Sequence, residues 1–139
     1  MTLTFKYKTV KRPDGTEVKT PSIPVTLAGK EIIDTIALID SGADISAISK
    51  DMAEILGLDI SGEHFPAFGI GGKVDAVDTK VNLTVQNAHE KYTFHMPIKV
   101  ILGNYDFPVL LGRAGFFDKF VVIFDQAKMN VSIKRVSRQ

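Results

Sequence analysis

Hydrophobic and polar positions alternate along most of this chain, and the alternation predicts strands. In "TLTFKYKTV", Leu3, Phe5 and Tyr7 fall on one face and Thr4, Lys6 and Lys8 on the other, which is the period of a half-buried strand. Pro13-Asp14-Gly15 is a strong turn signal from which "TEVKT" returns, predicting a hairpin. "IPVTLAG" and "IIDTIALID" flank Gly29-Lys30 and predict a second. The period then changes. In "SKDMAEILGL", Met52, Ile55 and Leu56 share a helical face, with Ser49 placed to cap its start and Gly57 its end. Strand patterning resumes in "FPAFGIGGKVDAV", read as two strands around a glycine-rich tip. "KVNLTVQN" and "YTFHMPIKVIL" follow, joined by a polar turn at Asn87 to Glu90. "PVLL" is a short, wholly apolar run of the kind buried on both faces. "RAGFFDKF" predicts a second short helix, with Phe116, Phe117 and Phe120 facing the core. "VVIFD" and "MNVSIKR" close the chain around a turn at Gln126 to Lys128. With no linker, low-complexity tract or tandem repeat, residues 1–139 read as a single domain. Its expected class is mostly β, a closed barrel or sandwich with one or two short helices.

Composition narrows the chemistry. The 139 residues are 45% hydrophobic and 24% charged, as in ordinary globular proteins, and are enough to bury a core. A net charge of +1 gives no electrostatic case for nucleic acid or an anionic membrane surface, and the basic cluster "IKRVSRQ" reads as a solvated tail. The absence of cysteine removes disulfides, thiol catalysis and cysteine-ligated metal, and is compatible with a cytoplasmic location. "MTLTFKYKTV" alternates instead of running apolar, so no targeting segment is expected, and no apolar run approaches membrane-spanning length. His64, His89 and His95 lack ligand spacing, so neither a metal nor another cofactor is expected. "GIGGK" fails as a phosphate loop, because Ala67 stands where its first glycine belongs and Val74 follows the lysine.

The residues that remain are at two corners. "IALIDSGAD" carries an apolar run straight into Asp40, and a carboxylate at the end of a buried run needs a hydrogen bond or a partner. Asp-Ser-Gly can also simply end a strand, as ordinary turn chemistry. "PVLLGRAG" supplies a second apolar run ending in glycine, and two strands ending at glycines can cross closely because no Cβ intervenes. Between the corners lies "FGIGGK". The order "LIDSGAD", "FGIGG", "LLGR", spanning roughly Ile32 to Phe124, resembles the retropepsin-like aspartic peptidases, single-domain relatives of pepsin. The long lead before Asp40 and the long tail after Arg113 make it similar to cellular or bacterial members more than to compact viral ones. Ser41 stands where threonine is commoner in the family, and Ala114 where viral members often have asparagine.

The resemblance implies an acid-protease barrel and an aspartic endopeptidase acting on extended, largely apolar peptide segments. Such chemistry needs one group to activate water and another to protonate a carbonyl. Two carboxylates about 3 Å apart do both, because they share one proton and titrate as a unit. This chain holds one Asp-Ser-Gly, and Asp125, the other acid ending an apolar run, lacks the hydroxyl and glycine that follow Asp40. A C2 homodimer would supply the second Asp40 across its axis. By resemblance, Asp40, Ser41 and Gly42 form the catalytic loop, with Ser41 bonding across the axis and the Gly42 carbonyl holding substrate. Ala43 and Asp44 contact substrate, Asp44 also pairing with Arg113 as a partly buried ion pair. Gly69, Ile70, Gly71 and Gly72 form a flap tip. Ala47, Ile70 and Leu110 line apolar subsites, while Gly112 and Arg113 support the loop. The competing expectation is a dimeric module that keeps barrel and cleft but only binds peptides or organises a complex.

Overall fold

A computed structural model describes residues 2–69 and 72–136. Among these residues there are twelve strands and one helix: β1 (Thr2–Lys6), β2 (Lys8–Lys11), β3 (Glu17–Thr20), β4 (Ser22–Ala28), β5 (Ile32–Ile39), β6 (Ala47–Ser49), α1 (Lys50–Leu56), β7 (His64–Gly69), β8 (Gly72–Gln86), β9 (Lys91–Ile101), β10 (Val109–Leu111), β11 (Phe120–Asp125) and β12 (Asn130–Arg135). The main sheet runs β4-β5-β10-β6-β9-β8-β7, and β8 also bonds back to β4. A second sheet has the order β1-β12-β11, and β2 pairs only with β3. No helix of the described residues is long and apolar enough to cross a membrane.

The alternation seen in the sequence becomes burial. On β9, Phe94, Met96, Ile98 and Val100 are buried and their neighbours face away. Val81, Leu83 and Val85 do the same on β8, and the core these strands share includes Leu3, Ile23 and Ile133. Phe116 and Phe120 are fully or almost fully buried, with ring centroids 5.1 Å apart in a tilted pair. Helix α1 has the ends expected of it. Ser49 Oγ accepts from Met52 N–H at 3.2 Å, and Gly57, with φ of 70°, donates back to Glu54. The Asp14 turn is also present. Its carboxylate accepts from the N–H and hydroxyl of Thr16, which holds its pKa below the usual carboxylate value.

Three expectations are corrected, and one strand is added. The first strand breaks at Tyr7, whose N–H bonds the Met129 carbonyl at 2.8 Å, so β1 pairs with β12 and only β2 joins the "TEVKT" hairpin. The stretch read as two strands on either side of Asp78 and Thr79 is one strand, because those residues face Lys99 and Ile98 in an unbroken ladder. β6, at 3 residues too short to show a period in the sequence, is wedged between β10 and β9. "RAGFFDKF" forms turns instead of a helix. Ala114 is held in a parallel bridge to Ile45, and Gly115 follows with φ of 93°. Phe117 and Asp118 N–H groups then reach back five residues, to Gly112 and Arg113, in place of a helical ladder.

Candidate active site

Strand β5 runs parallel to β10, with Val109 opposite Ala37, Leu110 opposite Leu38 and Leu111 opposite Ile39. The last ladder bond places the carboxylate: Asp40 N–H donates to the Leu111 carbonyl at 3.0 Å. Asp40 is thus half-buried where two apolar strands end together. The chain then turns on the acid itself, since Gly42 N–H donates to Asp40 Oδ1 at 2.9 Å and Ala43 N–H to its carbonyl at 3.2 Å. Among the described residues no other donor reaches the Asp40 carboxylate, and the Ser41 hydroxyl, on an exposed residue, makes no hydrogen bond.

The second corner fixes the first. Arg113 N–H donates to the Ala43 carbonyl and Ala114 N–H to the Asp44 carbonyl, both at 2.9 Å. Arg113 Nη1 donates to the Ser41 carbonyl at 2.9 Å. This corrects the expected Asp44–Arg113 side-chain pair: the guanidinium serves the turn, the two residues are linked through backbone, and both side chains are exposed. Gly112 shows why a glycine is required. A Cβ there would lie 2.5 Å from the Ile45 carbonyl carbon and 2.9 Å from the Ser46 nitrogen. The two glycine-ended runs pair side by side as β5 and β10 instead of crossing, and the close backbone approach is that of Gly112 to Ile45 and Ser46.

Ser46 was missed by the sequence reading. It is fully buried, its hydroxyl accepts from Gly112 N–H at 2.9 Å, and the same hydroxyl donates to Met96 Sδ at 3.8 Å. The available signal was a hydroxyl inside the short apolar stretch "ISAIS", where burial demands a partner.

A cleft of about 800 Å³ opens over the Asp40 turn. Asp40, Gly42, Ala43 and Asp44 line it, as do Ala47 and Leu110, the two residues expected at subsites. The β7–β8 hairpin contributes Ala67, Phe68, Gly72 and Lys73. Gly69 pairs with Gly72 at the hairpin end, while the expected tip residues Ile70 and Gly71 lie outside the described residues. Lys99, Ile101, Tyr105 and Phe107 also line the cleft and were not singled out from the sequence. Ile101 and Lys99 alternate with the buried Ile98 and Val100, a signal visible only once the two faces of β9 are assigned.

Asp125 does not serve this site. It ends β11 opposite Asn130, and its Oδ1 accepts from Lys128 N–H at 3.0 Å. No cluster of three potential ligands for a metal ion occurs among the described residues. Among the described residues, Asp40 is the half-buried carboxylate of the cleft, held in a hydrogen-bonded turn, and Asp44 beside it is exposed.

The chain was compared with known families and solved structures. A family model described as aspartyl protease matches residues 23–114. A retropepsin-like aspartic protease from Rickettsia conorii has a similar fold, with a TM-score of 0.57 and 16% identity over 95% of this chain and 98% of that one. EIAV protease, in a complex with the inhibitor HBY-793, aligns with a TM-score of 0.42 and 20% identity over 68% of this chain and 83% of that one. No curated protein matches the sequence.

Proposed function

The chain belongs to the aspartyl protease family, and from that premise we propose that it is an endopeptidase that works as a C2 homodimer, with Asp40 of each subunit in one active site. The observation that carries the reading is the parallel pairing of β5 with β10, whose shared end presents a half-buried Asp40 carboxylate from a doubly anchored turn to an open cleft. A lone acid can take a proton or give one, whereas amide hydrolysis needs both acts together. Asp40 of the partner subunit supplies the other act.

The steps then follow. The ionised carboxylate of the pair removes a proton from water as the oxygen attacks the scissile carbonyl carbon. The protonated carboxyl gives its proton to the carbonyl oxygen, forming a neutral diol. Proton transfer to the amide nitrogen and cleavage of the C–N bond release acid and amine, and the pair again holds one proton. Pre-orientation by the Gly42 N–H and by the anchors from Arg113 and Ala114 spares the acids a search for their positions. The unpartnered Ser41 hydroxyl is available to bond across the axis, and the cleft side chains of Ala47 and Leu110 form apolar subsites. An extended peptide lies between this floor and the β7–β8 hairpin, which acts as a flap. The circuit of pairings from β4 round to β8 and back to β4 supports the closed-barrel reading of the main sheet.

The test is a panel of denatured proteins incubated from mildly acid to neutral pH with the wild-type protein and with Asp40→Asn. Pepstatin-sensitive cleavage that vanishes in the variant, with fold and oligomeric state retained, supports the reading. Unchanged cleavage by the variant rules out the mechanism, and peptide binding without turnover by the wild type favours a binding module.

A further inference from the structure

The cleft is not apolar throughout. Leu110 pairs with Ala47 across β10 and β6, and Ala47 pairs with Lys99 across β6 and β9, so these three side chains form one cross-strand row. All three line the cleft, together with Asp40 and Asp44 of the catalytic turn and Lys73 of the hairpin strand β8. Lys99 is half-buried, and its Nζ lies 5.4 Å from the centre of the Phe65 ring. Asp78 is its neighbour across the β8–β9 ladder, yet among the described residues the ammonium forms no ion pair with it and leans over Phe65. A cation held by a ring and by no carboxylate keeps its three donors for a ligand.

From this row, and resting on the protease reading above, we infer that Lys99 makes the Leu110–Ala47–Lys99 subsite select a substrate side chain ending in a carboxylate. A glutamate or aspartate side chain would run its methylenes along Leu110 and Ala47 and bring its oxygens to Lys99 Nζ in charge-assisted hydrogen bonds. Lys73, exposed on the opposing arm, adds a second positive charge above the same cleft. Asp40 and Asp44 repel an acidic side chain from the catalytic side, so the cleft attracts it at one place and rejects it at another. The expected preference for largely apolar segments is thereby refined to an extended segment with one acidic position.

The experiment is a positional-scanning peptide library assayed for cleavage by the wild-type protein and the variants Lys99→Met, Lys99→Arg and Lys99→Glu. Binding of matched Glu and Gln peptides to Asp40→Asn is measured alongside. The wild type favours Glu over Gln at one position by about tenfold, an ordinary margin for a matched charge. Lys99→Arg keeps that ratio, Lys99→Met brings it near one, and Lys99→Glu shifts the preference to lysine. Equal handling of Glu and Gln at every position, in cleavage and in binding, overturns the inference. So does a Glu preference that survives Lys99→Met. If no peptide is cleaved but Glu-selective binding is erased by Lys99→Met, hydrolysis fails and this subsite stands.

Discussion

The backbone N–H of Gly112 donates to the buried hydroxyl of Ser46 at 2.9 Å, joining the residue just before β6 to the corner that follows β10. That bond anchors the turn carrying Asp40, because the two residues after Gly112 are those that hold the carbonyls of Ala43 and Asp44. Ser46→Ala leaves a buried N–H unpaired and is expected to lower stability by about 1–3 kcal/mol. Denaturant unfolding reads this directly, and catalytic activity should fall further than stability does at temperatures where the variant is still folded.

Gly112→Ala tests the close approach itself. The new Cβ would meet Ile45 backbone at 2.5 Å, and backbone cannot swing aside as a side-chain end can. Overpacking of this kind costs about 1–3 kcal/mol and occasionally more. Gly62→Ala, where the nearest atom to the added Cβ is the Val77 Cγ1 at 3.7 Å, is the control and should be close to neutral in the same denaturation assay.

Arg113 separates a structural from a functional contribution. Because its side chain is exposed and its guanidinium donates to the Ser41 carbonyl, Arg113→Met should change stability by about 1 kcal/mol or less. A buried Asp44–Arg113 pair, had it formed, would have made the loss about 3–5 kcal/mol. Peptide cleavage should decline more than stability, since the Ser41 turn loses its clamp.

Much of this arrangement was legible in the chain because its causes are local. Asp40 at the end of an apolar run, the Ser49 and Gly57 helix caps, and the glycine that ends "PVLLG" each declare a constraint within a few residues. Ser46 did not, since its partners Gly112 and Met96 are 66 and 50 positions away. Nor did Lys99, whose place in the cleft depends on β6 and β8 lying on either side of it. The lost second helix has the same origin: the aromatic spacing was correct for burial, but the tie between Ala114 and Ile45 had already fixed the backbone. Local chemistry was visible, and long-range register was not.

Tyr92 donates its hydroxyl to the Glu90 carboxylate. That bond, followed by burial and the carboxylate charge, holds the phenol above its ordinary pKa of 10.0, with Arg135 opposing. A raised folded value favours the protonated phenol, so its contribution to stability is present below the unfolded pKa and fades as pH rises through the folded one. An absorbance titration should find Tyr92 ionising late, and Glu90→Gln should move it downward.

The most direct test of the shared active site is to mix subunits. Wild-type and Asp40→Asn chains are refolded together in equal amounts, and peptide cleavage is compared with the same total amount of wild type. If each site needs an Asp40 from both subunits, random pairing leaves about a quarter of the activity. Retention of about half, the value for chains that each carry a complete site, would contradict the account.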